Sequence, residues 1–391
     1  SFPTRRSSDL PTEISYMDSG RFETFADAII AIIITVLVLK FTQPNEATFS
    51  ALWEFKDQYI SYLMSFLIVF NMWRSNHNLF HRVKQIDNIT VILNGIILFL
   101  MSIIPYFTIW LANNLYSVAA ETCMGIIFLL THIFYTLSIK ALIKNDPYNK
   151  ELQKTVQSSK YIHIPLIFIL IGFILTYTIF SLGIVVCNFL AIFAWIWIGR
   201  NDNTPMKTER FEGFVDAILA ILITIIILGI LLPLNGTWTS LGARYLDFIT
   251  YAISFVVIFN YWNYHHNFFS IVNNINQKVI WLEAFSLFVI SFLPFITIFV
   301  SNNFNTFIAQ FLYGLDFIII SLINMFSVRA LISSDPANIA LRVLIGNYKG
   351  QILPSITLIF GIIIGYLFYP PAIIISCIIS MTVGRSEERR V

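Results

Sequence analysis

Long apolar runs separated by short polar stretches make up the chain from Phe22 almost to its C-terminal end. A helical membrane span needs about 20 mainly apolar residues. In the first half of the chain the apolar segments are approximately 22–41, 58–80, 88–112, 117–143, 160–180 and 182–199. In the second half they are 211–231, 247–269, 277–301, 306–332, 350–369 and 371–384. The pattern predicts an all-α polytopic membrane protein with twelve transmembrane helices.

The second half of the chain repeats the first at a constant offset. The stretches RFETFADA, from Arg21, and RFEGFVDA, from Arg210, begin 189 residues apart. The same shift places YISYLMSFLIVFNMWRSNHNLF on FITYAISFVVIFNYWNYHHNFF without a gap. An offset that holds over this length indicates two homologous units. We therefore expect two six-helix repeats, at 20–200 and 209–384, joined by the linker GRNDNTPMKTE.

Composition supports a membrane protein and excludes several other classes. Hydrophobic residues make up 57% of the chain and charged residues only 12%, against about a quarter charged in soluble domains. All three cysteines, Cys123, Cys187 and Cys377, lie in apolar runs, which indicates buried side chains and neither a disulfide framework nor a thiolate metal site. We expect no cofactor, no catalytic or metal site and no nucleic-acid partner.

Both ends of the chain resemble translated sequencing-adapter read-through. These are SFPTRRSSDL at 1–10 and GRSEERRV at 384–391, and we expect them to contribute nothing to the fold. They hold five basic and three acidic residues, so the whole formal net charge of +2 comes from them.

The basic residues predict the orientation in the membrane. Those in even-numbered loops are Arg82, Lys84, Lys144, Lys150, Lys154, Lys160, Arg200, Lys207, Lys278, Arg342 and Lys349, whereas odd-numbered loops offer little beyond Lys56 and Arg244. By the positive-inside rule both termini are cytoplasmic. Six spans in each half make the halves parallel, related by an axis along the membrane normal. We expect a multi-pass protein of the cell (plasma) membrane.

A charged and aromatic cluster is predicted near the cytoplasmic end of each half. Asp27 lies less than two turns into the first span, and Trp73 and His77, four residues apart, share one face of the second. Ionisable residues within spans are costly and usually partnered. We therefore expect an Asp27–His77 contact with Trp73 alongside and Arg21 near the lipid headgroups. The second half repeats this set with Arg210, Asp216, Trp262 and His266.

Two interpretations of this cluster remain open. It is either a clamp that fixes the first helix of each half against the second, or a direct participant in ion or proton passage.

An aliphatic stripe lies on another face of the first helix of each half. Ile32 is five residues beyond Asp27, roughly 140° around the helix. It begins a stripe at helical spacing, which comprises Ile32, Thr35, Val36 and Leu39, repeated as Ile221, Thr224, Ile225 and Leu228. Such a stripe faces lipid or neighbouring helices, or it lines a narrow pore that gates by excluding water.

With these residues in place, the chain resembles the transmembrane protein 175 family of potassium channels. The hallmark of that family is an arginine, a phenylalanine and then serine and aspartate at the start of the first span. The matching residues are Arg21, Phe25 and Asp27 in the first half and Arg210, Phe214 and Asp216 in the second. The serine is replaced by Ala26 and by Val215.

The resemblance implies a potassium-permeable cation channel, with proton permeation also plausible. The first helix of each repeat would line the pore, with a constriction at Ile32 and Ile221 and a contribution to selectivity from Thr35 and Thr224. Two-repeat members of the family form homodimers, so that four such helices surround one axis. Because the sequence contains no TVGYG-like filter loop, we expect modest selectivity for potassium ions.

Two rival functions remain. One is a twelve-span secondary transporter built from two parallel six-helix halves, and the other is a membrane-embedded enzyme.

Asp316, in the tenth span, breaks the repeat because its counterpart is Ile127. It is either a lone functional carboxylate or, as we favour, one that Tyr313, Asn324 and neighbouring helices satisfy or neutralise.

Overall fold

The structure is a computed structural model that describes most of the chain. It describes residues 17–83, 85–150, 152–153, 160–199, 206–272, 274–334, 338–339, 341 and 348–388. Part of the predicted read-through ends, at 1–10 and 389–391, lies outside these residues, as does part of the linker, at 200–205. The basic residues Lys84, Lys154, Arg200 and Arg342 also lie outside them.

The described residues form helices along both halves of the chain. In the first half these are α1 (Ser19–Leu39), α2 (Phe49–Glu54), α3 (Lys56–Phe80), α4 (Asn88–Ser102), α5 (Ile104–Asn113), α6 (Val118–Asn145), α7 (Lys160–Thr178) and α8 (Gly183–Gly199). In the second half they are α9 (Thr208–Leu228), α10 (Trp238–Gly242), α11 (Tyr245–Phe269), α12 (Gln277–Ile290), α13 (Leu293–Asn302), α14 (Phe307–Ser334), α15 (Tyr348–Leu367) and α16 (Ala372–Glu388).

Two short ribbons accompany the helices and were not predicted. Strand β1 (Met17–Asp18) pairs antiparallel with β2 (Gln85–Ile86), and β3 (Met206–Lys207) pairs in the same way with β4 (Asn274–Ile275). Each ribbon ties the residues just before the first helix of a half to the loop before its fourth. The all-α class is confirmed, and the ribbons repeat at corresponding positions in the two halves.

Seven helical segments among the described residues are long and apolar enough to cross a membrane. They are Ser19–Leu39, Asn88–Asn113, Val118–Asn145, Thr208–Leu228, Tyr245–Phe269, Gln277–Asn302 and Phe307–Ser333. Four shorter apolar helices are His163–Thr178, Gly183–Trp197, Ile352–Leu367 and Ala372–Thr382. Helix α3 has 25 residues, but it carries Arg74, Asn76 and His77 near one end. The count of twelve spans stays a prediction.

Proline divides the third predicted segment of each half into two helices. Pro105 stands at the start of α5 and Pro294 at the start of α13. Proline has no backbone N–H to donate, so it suits the first turn of a helix and interrupts a helix interior. The segments that the apolar pattern predicts as continuous, 88–112 and 277–301, therefore consist of α4 with α5 and of α12 with α13.

A polar side chain caps the helix that follows the second ribbon strand in each half. Asp87 accepts a hydrogen bond from the backbone N–H of Thr90 at 3.0 Å, and Asn276 accepts one from Val279 at 3.0 Å. Burial opposes ionisation of Asp87, but hydrogen bonds from Thr90 and Asn145 outweigh it and lower the pKa of the carboxyl. An ionised N-cap stabilises the start of α4.

The first helices of the two halves lie side by side at the centre of the bundle. Helix α1 packs against α3, α4, α5 and α9, and α9 packs against α11 and α13. The hairpin of α7 and α8 packs outside α6, and the hairpin of α15 and α16 packs outside α14. The predicted stripes therefore lie on two neighbouring central helices.

The close contact between α7 and α8 depends on Gly183. A Cβ atom at this position would lie 2.6 Å from the backbone N of Thr176 and 2.8 Å from the carbonyl O of Gly172. We predict that Gly183→Ala lowers the free energy of unfolding by about 1–3 kcal/mol, because backbone atoms cannot rotate away. The measurement is denaturation of the purified protein in detergent.

Gly95→Ala is the matched control. A Cβ atom at Gly95, inside α4, would have nothing within 4 Å. Alanine favours a helix over glycine by about 0.5–1 kcal/mol, so this variant should be as stable as the wild type or more stable. Equal stability of the wild type and Gly183→Ala would contradict the proposed contact.

Candidate functional site

The repeated charged motif brings the two repeats together where α1, α3 and α9 meet. Trp73 Nε1 donates a hydrogen bond to Asp27 Oδ1 at 2.8 Å. Arg210, from the second repeat, lies with its Nε 3.3 Å from Asp27 Oδ2 and forms an ion pair with Glu23 through Nη1. His77 Nδ1 is 4.0 Å from Glu23 Oε2. Arg210 of the second repeat thus pairs with two carboxylates of the first repeat.

This arrangement corrects two predictions. The carboxylate that faces His77 belongs to Glu23 and not to Asp27, because Glu23 lies one turn closer to the start of α1. Arg210, predicted to lie in the cluster of its own repeat, instead contacts the first repeat, because the buried Glu23 and the nearly buried Asp27 need a cation. The repeat itself carried the missed signal, since a glutamate follows RF in both RFET and RFEG, as Glu23 and Glu212.

The second repeat reproduces the same contacts in a more exposed setting. Trp262 Nε1 donates to Asp216 Oδ1 at 2.8 Å, and His266 Nδ1 lies 3.3 Å from Glu212 Oε1. The side chain of His266 is 56% exposed, against 2% for His77. Arg21, the counterpart of Arg210, is exposed in the single chain.

Aromatic residues extend the contact between the repeats along the helices. Phe214 of α9 stacks on Trp73 of α3, with ring centroids 4.0 Å apart and planes at 12°. Further along α3, Tyr62 stacks on Phe288 at 5.2 Å, and its hydroxyl is hydrogen-bonded to Ser291. We call this contact of α9, α12 and α13 with α1 and α3 the internal seam.

Residues equivalent to those of the internal seam are exposed on the outer sides of the chain. Phe25 is 61% exposed, whereas its counterpart Phe214 is 1% exposed. In the first repeat, the exposed counterparts of seam residues form an open face of Phe25, Ile92, Phe99 and Tyr106. In the second repeat, the counterparts of Phe66, Phe70 and Trp73 form an open face of Phe255, Phe259 and the half-buried Trp262.

A buried arginine with no repeat counterpart completes the internal seam. Arg74 donates hydrogen bonds to Gln277 Oε1 at 2.7 Å and to Asn71 Oδ1 at 3.2 Å, and its guanidinium lies 5.5 Å from the centroid of the Trp281 ring. Asn263 stands at the corresponding position of the second repeat. Because the two halves differ at this position, the repeat pattern did not predict Arg74 as a site residue.

The predicted stripe residues differ in burial within the single chain. On α1, Ile32 and Leu39 are exposed, Val36 is half-buried, and Thr35 is buried with its hydroxyl donating to the carbonyl oxygens of Ala31 and Ile32. On α9, Thr224 and Leu228 are exposed, Ile221 is half-buried and Ile225 is buried. Ala26 and Val215, in place of the motif serine, are both buried.

Asp316 and Tyr313 lie in the second repeat, away from the internal seam. Asp316 is buried with one carboxylate oxygen lacking a partner, and the Tyr313 hydroxyl lies 3.0 Å from Ser254 Oγ. Tyr313 therefore packs its hydroxyl against another helix. Within the described part of the chain, no group of three or more His, Cys, Asp or Glu side chains is placed to hold a metal ion.

The cross-repeat ion pair can be tested by removing its cation. Arg210→Met leaves Glu23 and Asp27 buried without a counter-charge, so we expect the free energy of unfolding in detergent to fall by about 3 kcal/mol. Adding Glu23→Gln and Asp27→Asn to this variant should restore part of the loss, because no uncompensated charge remains. The exposed Arg329→Met should change stability by no more than about 0.5 kcal/mol. A loss no larger than that of Arg329→Met would contradict a stabilising role of the ion pair between the repeats.

Comparisons with known proteins find relatives for both halves of the chain. A family model described as endosomal/lysosomal potassium channel TMEM175 matches residues 21–105 and 210–294. A potassium channel of Chryseobacterium sp. (strain P1-3) is 28% identical over 182 residues, which cover 46% of this chain and 93% of the relative. A potassium channel of Streptomyces collinus is 30% identical over 129 residues, which cover 32% of this chain and 63% of the relative.

A longer relative aligns with both halves. The endosomal/lysosomal proton channel TMEM175 of Danio rerio is 25% identical over 334 residues, which cover 72% of this chain and 63% of the relative. The two family matches start at Arg21 and Arg210 and so fall at the offset that relates the halves. Both halves of this integral membrane protein therefore match the model of the TMEM175 family of ion channels.

Proposed function

We propose that the chain forms a potassium-permeable cation channel as a homodimer, in which α1 and α9 of each copy surround one pore. The potassium-channel names of the bacterial relatives support the choice of ion. The single observation that carries the proposal is the difference in burial between equivalent residues of the two repeats. A second copy would cover the faces that remain open.

The internal seam serves as the template for the contact between two copies. Within the chain, Phe214 of the second repeat stacks on Trp73 of the first, and Arg210 pairs with the carboxylates of the first repeat. In the proposed dimer, Phe25 and Arg21 of one copy contact the second repeat of the other copy in the same way.

Phe25 would then stack on Trp262 of the second copy, and Arg21 would reach the carboxylates of Asp216 and Glu212. Both contacts recur by two-fold symmetry, so the assembly closes without leaving an open face.

Four central helices then surround the proposed pore. The constriction lies at Ile32 and Ile221, where large aliphatic side chains exclude water and gate by dewetting. Thr35, Val36, Leu39, Thr224, Ile225 and Leu228 continue the lining along the same stripes. Each stripe carries a single hydroxyl, that of Thr35 or Thr224, so the pore wall offers few oxygen ligands and selectivity for potassium is modest.

The membrane orientation follows from the distribution of basic residues. We place both termini in the cytoplasm and the protein in the plasma membrane. The charged clusters then lie at the cytoplasmic entrance, with each arginine holding a carboxylate pair. Proton permeation accompanies potassium permeation in this proposal, in line with the proton-channel name of the Danio rerio relative.

Polar replacement of the aliphatic constriction tests the pore. In proteoliposomes, Ile32→Asn combined with Ile221→Asn should raise the resting potassium flux at least about tenfold, because amides hydrate a constriction that isoleucine keeps dry. The measurement is flux of potassium, sodium and protons under separate gradients. Ile133→Asn, at an exposed position of α6, is the control and should leave the flux unchanged. Saturable flux coupled to a second solute would instead support a transporter.

Cysteine pairs test the second copy. Phe25→Cys with Trp262→Cys should form a covalent dimer on oxidation, because the two positions meet only between copies in the proposed assembly. The yield should depend on both substitutions and should persist when the two variants are mixed on separate chains.

The internal seam supplies the matched control for this experiment. Trp73→Cys with Phe214→Cys joins the two repeats within one chain, since their rings already stack at 4.0 Å. This pair should give a cross-linked monomer under the same oxidation. A monomer cross-linked through Phe25→Cys and Trp262→Cys, or no product at all, would rule out the proposed dimer.

A further inference from the structure

A cavity lies between the two repeats at the end of the internal seam opposite to Arg210. It measures about 330 Å³, whereas an engineered protein cavity of about 150 Å³ is large enough to hold benzene. Its wall comes from the C-terminal end of α9, from α11 and α13, and from Phe41 and Gln43, which follow α1. Leu231 and Asn302, both in the wall, are exposed, so the cavity opens at the surface of the chain.

A carboxylate and other oxygen atoms form the polar part of the wall. Asp247, in the first turn of α11, accepts a hydrogen bond from the Ser301 hydroxyl at 2.5 Å. Thr250 donates its hydroxyl hydrogen to the backbone of its own helix at 2.9 Å, so its oxygen can accept. Gln43 donates from Nε2 to the Phe295 carbonyl at 3.1 Å, and its Oε1 has no partner among the described residues. The wall therefore offers hydrogen-bond acceptors beside a carboxylate.

The charge of Asp247 is only loosely compensated within the chain. Arg244 Nη1 lies 3.8 Å from Asp247 Oδ2, which is longer than a hydrogen bond. In the described part of the chain, Arg244 is the one cation within ion-pair distance of this carboxylate, and partly exposed pairs of this kind contribute little. The first turn of a helix favours a negative charge. A second cation can therefore approach Asp247 Oδ2 from the cavity.

The remainder of the wall is apolar and includes an aromatic ring. Phe41 is held by other rings, with its centroid 5.3 Å from that of Tyr62 and 5.9 Å from that of Phe295. Aliphatic side chains of Ile226 and Ile298 complete this side. Aromatic rings attract cations across their faces, and ligand sites typically combine an apolar wall with a few polar groups. The cavity thus suits a ligand that is cationic at one end and apolar at the other.

The carboxylate and the open space belong to the second repeat alone. Gln58 and Lys40 stand in the first repeat at the positions of Asp247 and Gly229. Gly229 lines the cavity, and a Cβ atom there would lie 2.3 Å from Ile298 Cδ1. Any side chain at this position would displace the wall. Because the first repeat folds with other residues at these places, the fold itself does not require the acidic cavity.

We propose that this cavity binds a small organic cation, in which a primary ammonium group is attached to an apolar body about the size of one ring. An ammonium has three N–H donors, which match the oxygens of Asp247, Thr250 and Gln43. The apolar body would contact Phe41 and the aliphatic side chains. A divalent metal ion fits less well, because such ions take about six to eight oxygen ligands and most of this wall is hydrocarbon.

The position of the cavity keeps it accessible in the proposed dimer. None of its wall residues belongs to the open faces that a second copy would cover. The cavity also adjoins a pore-lining helix, since Gly229 and Ile230 directly follow Leu228, the last residue of the stripe on α9. A bound cation would therefore contact the end of a helix that the proposed channel uses to line its pore.

Binding is tested with benzylammonium as the probe and benzyl alcohol, which has the same ring and no charge, as the matched control. Isothermal titration calorimetry on the full chain in detergent, with protein-free micelles as the blank, measures both affinities. Asp247→Asn keeps the shape and removes the charge, so it should weaken benzylammonium binding about tenfold or more. Benzyl alcohol should bind more weakly than benzylammonium and should not respond to this substitution.

A matched variant and a gain of affinity complete the test. Asp57→Asn removes an acidic residue from the first turn of α3, outside the cavity, and should leave the affinity unchanged. Arg244→Gln removes the competing cation and should strengthen binding about threefold, which decides the matter even if Asp247→Asn folds poorly. The proposal fails if benzylammonium shows no saturable binding, or if neither Asp247→Asn nor Arg244→Gln changes its affinity.

A flux measurement tests the contact with α9 and rests on the proposed function. Saturating benzylammonium should change the potassium flux through the wild-type protein in proteoliposomes, and the same concentration should leave the flux through Asp247→Asn unchanged. An equal response of the two proteins, or no response of the wild type, would overturn the connection to α9. If the wild type carries no flux at all, the proposed channel fails, while the calorimetry still decides whether the cation site exists.

Discussion

The placement of the two repeats depends on one arginine that crosses from the second repeat to the carboxylates of the first. Glu23 and Asp27 lie on a central helix with little access to water, and a buried carboxylate without a cation costs several kcal/mol. Arg210 provides that cation from the start of α9. Arg210 lies in the first turn of α9, and its partners Glu23 and Asp27 lie near the start of α1. The two helices therefore begin at about the same level.

Packing around this ion pair explains why homologous residues have different surroundings. Phe70 is fully buried and Phe259 is 47% exposed, although both follow from the same repeated stretch. The difference arises because each repeat has two faces and the chain joins only one face of each. Within a bilayer the open aromatic side chains contact lipid, so a second copy would stabilise them through close packing and not through removal from water. The single chain is thus half of a closed arrangement in the assembly that we propose.

The sequence allowed much of the fold to be predicted and less of the site. The apolar runs and the constant offset located the helices of both halves, because the length of a membrane span and the repetition of a unit are both visible in the sequence. The bonds from Trp73 to Asp27 and from Trp262 to Asp216 agree with the predicted helix levels, although the predicted partner of His77 was wrong. Contacts between the two halves could not be predicted from the sequence. Arg210 was placed within its own repeat, since an offset compares equivalent positions and carries no information on which repeat supplies a neighbour.

The buried Arg74 shows what joining two repeats into one chain permits. In a ring of identical single repeats every junction has the same residues, so a change that benefits one junction must be accepted by all of them. Here Arg74, Gln277 and Trp281 meet inside the chain, whereas Asn263, Asn88 and Ile92 stand at the corresponding places of the outer junction in the dimer that we propose. In that dimer, covalent fusion lets the two junctions differ, one built around a cation and one around amides and an aliphatic residue. A ring closed through both kinds of junction has two-fold symmetry, and its four central helices need not move together.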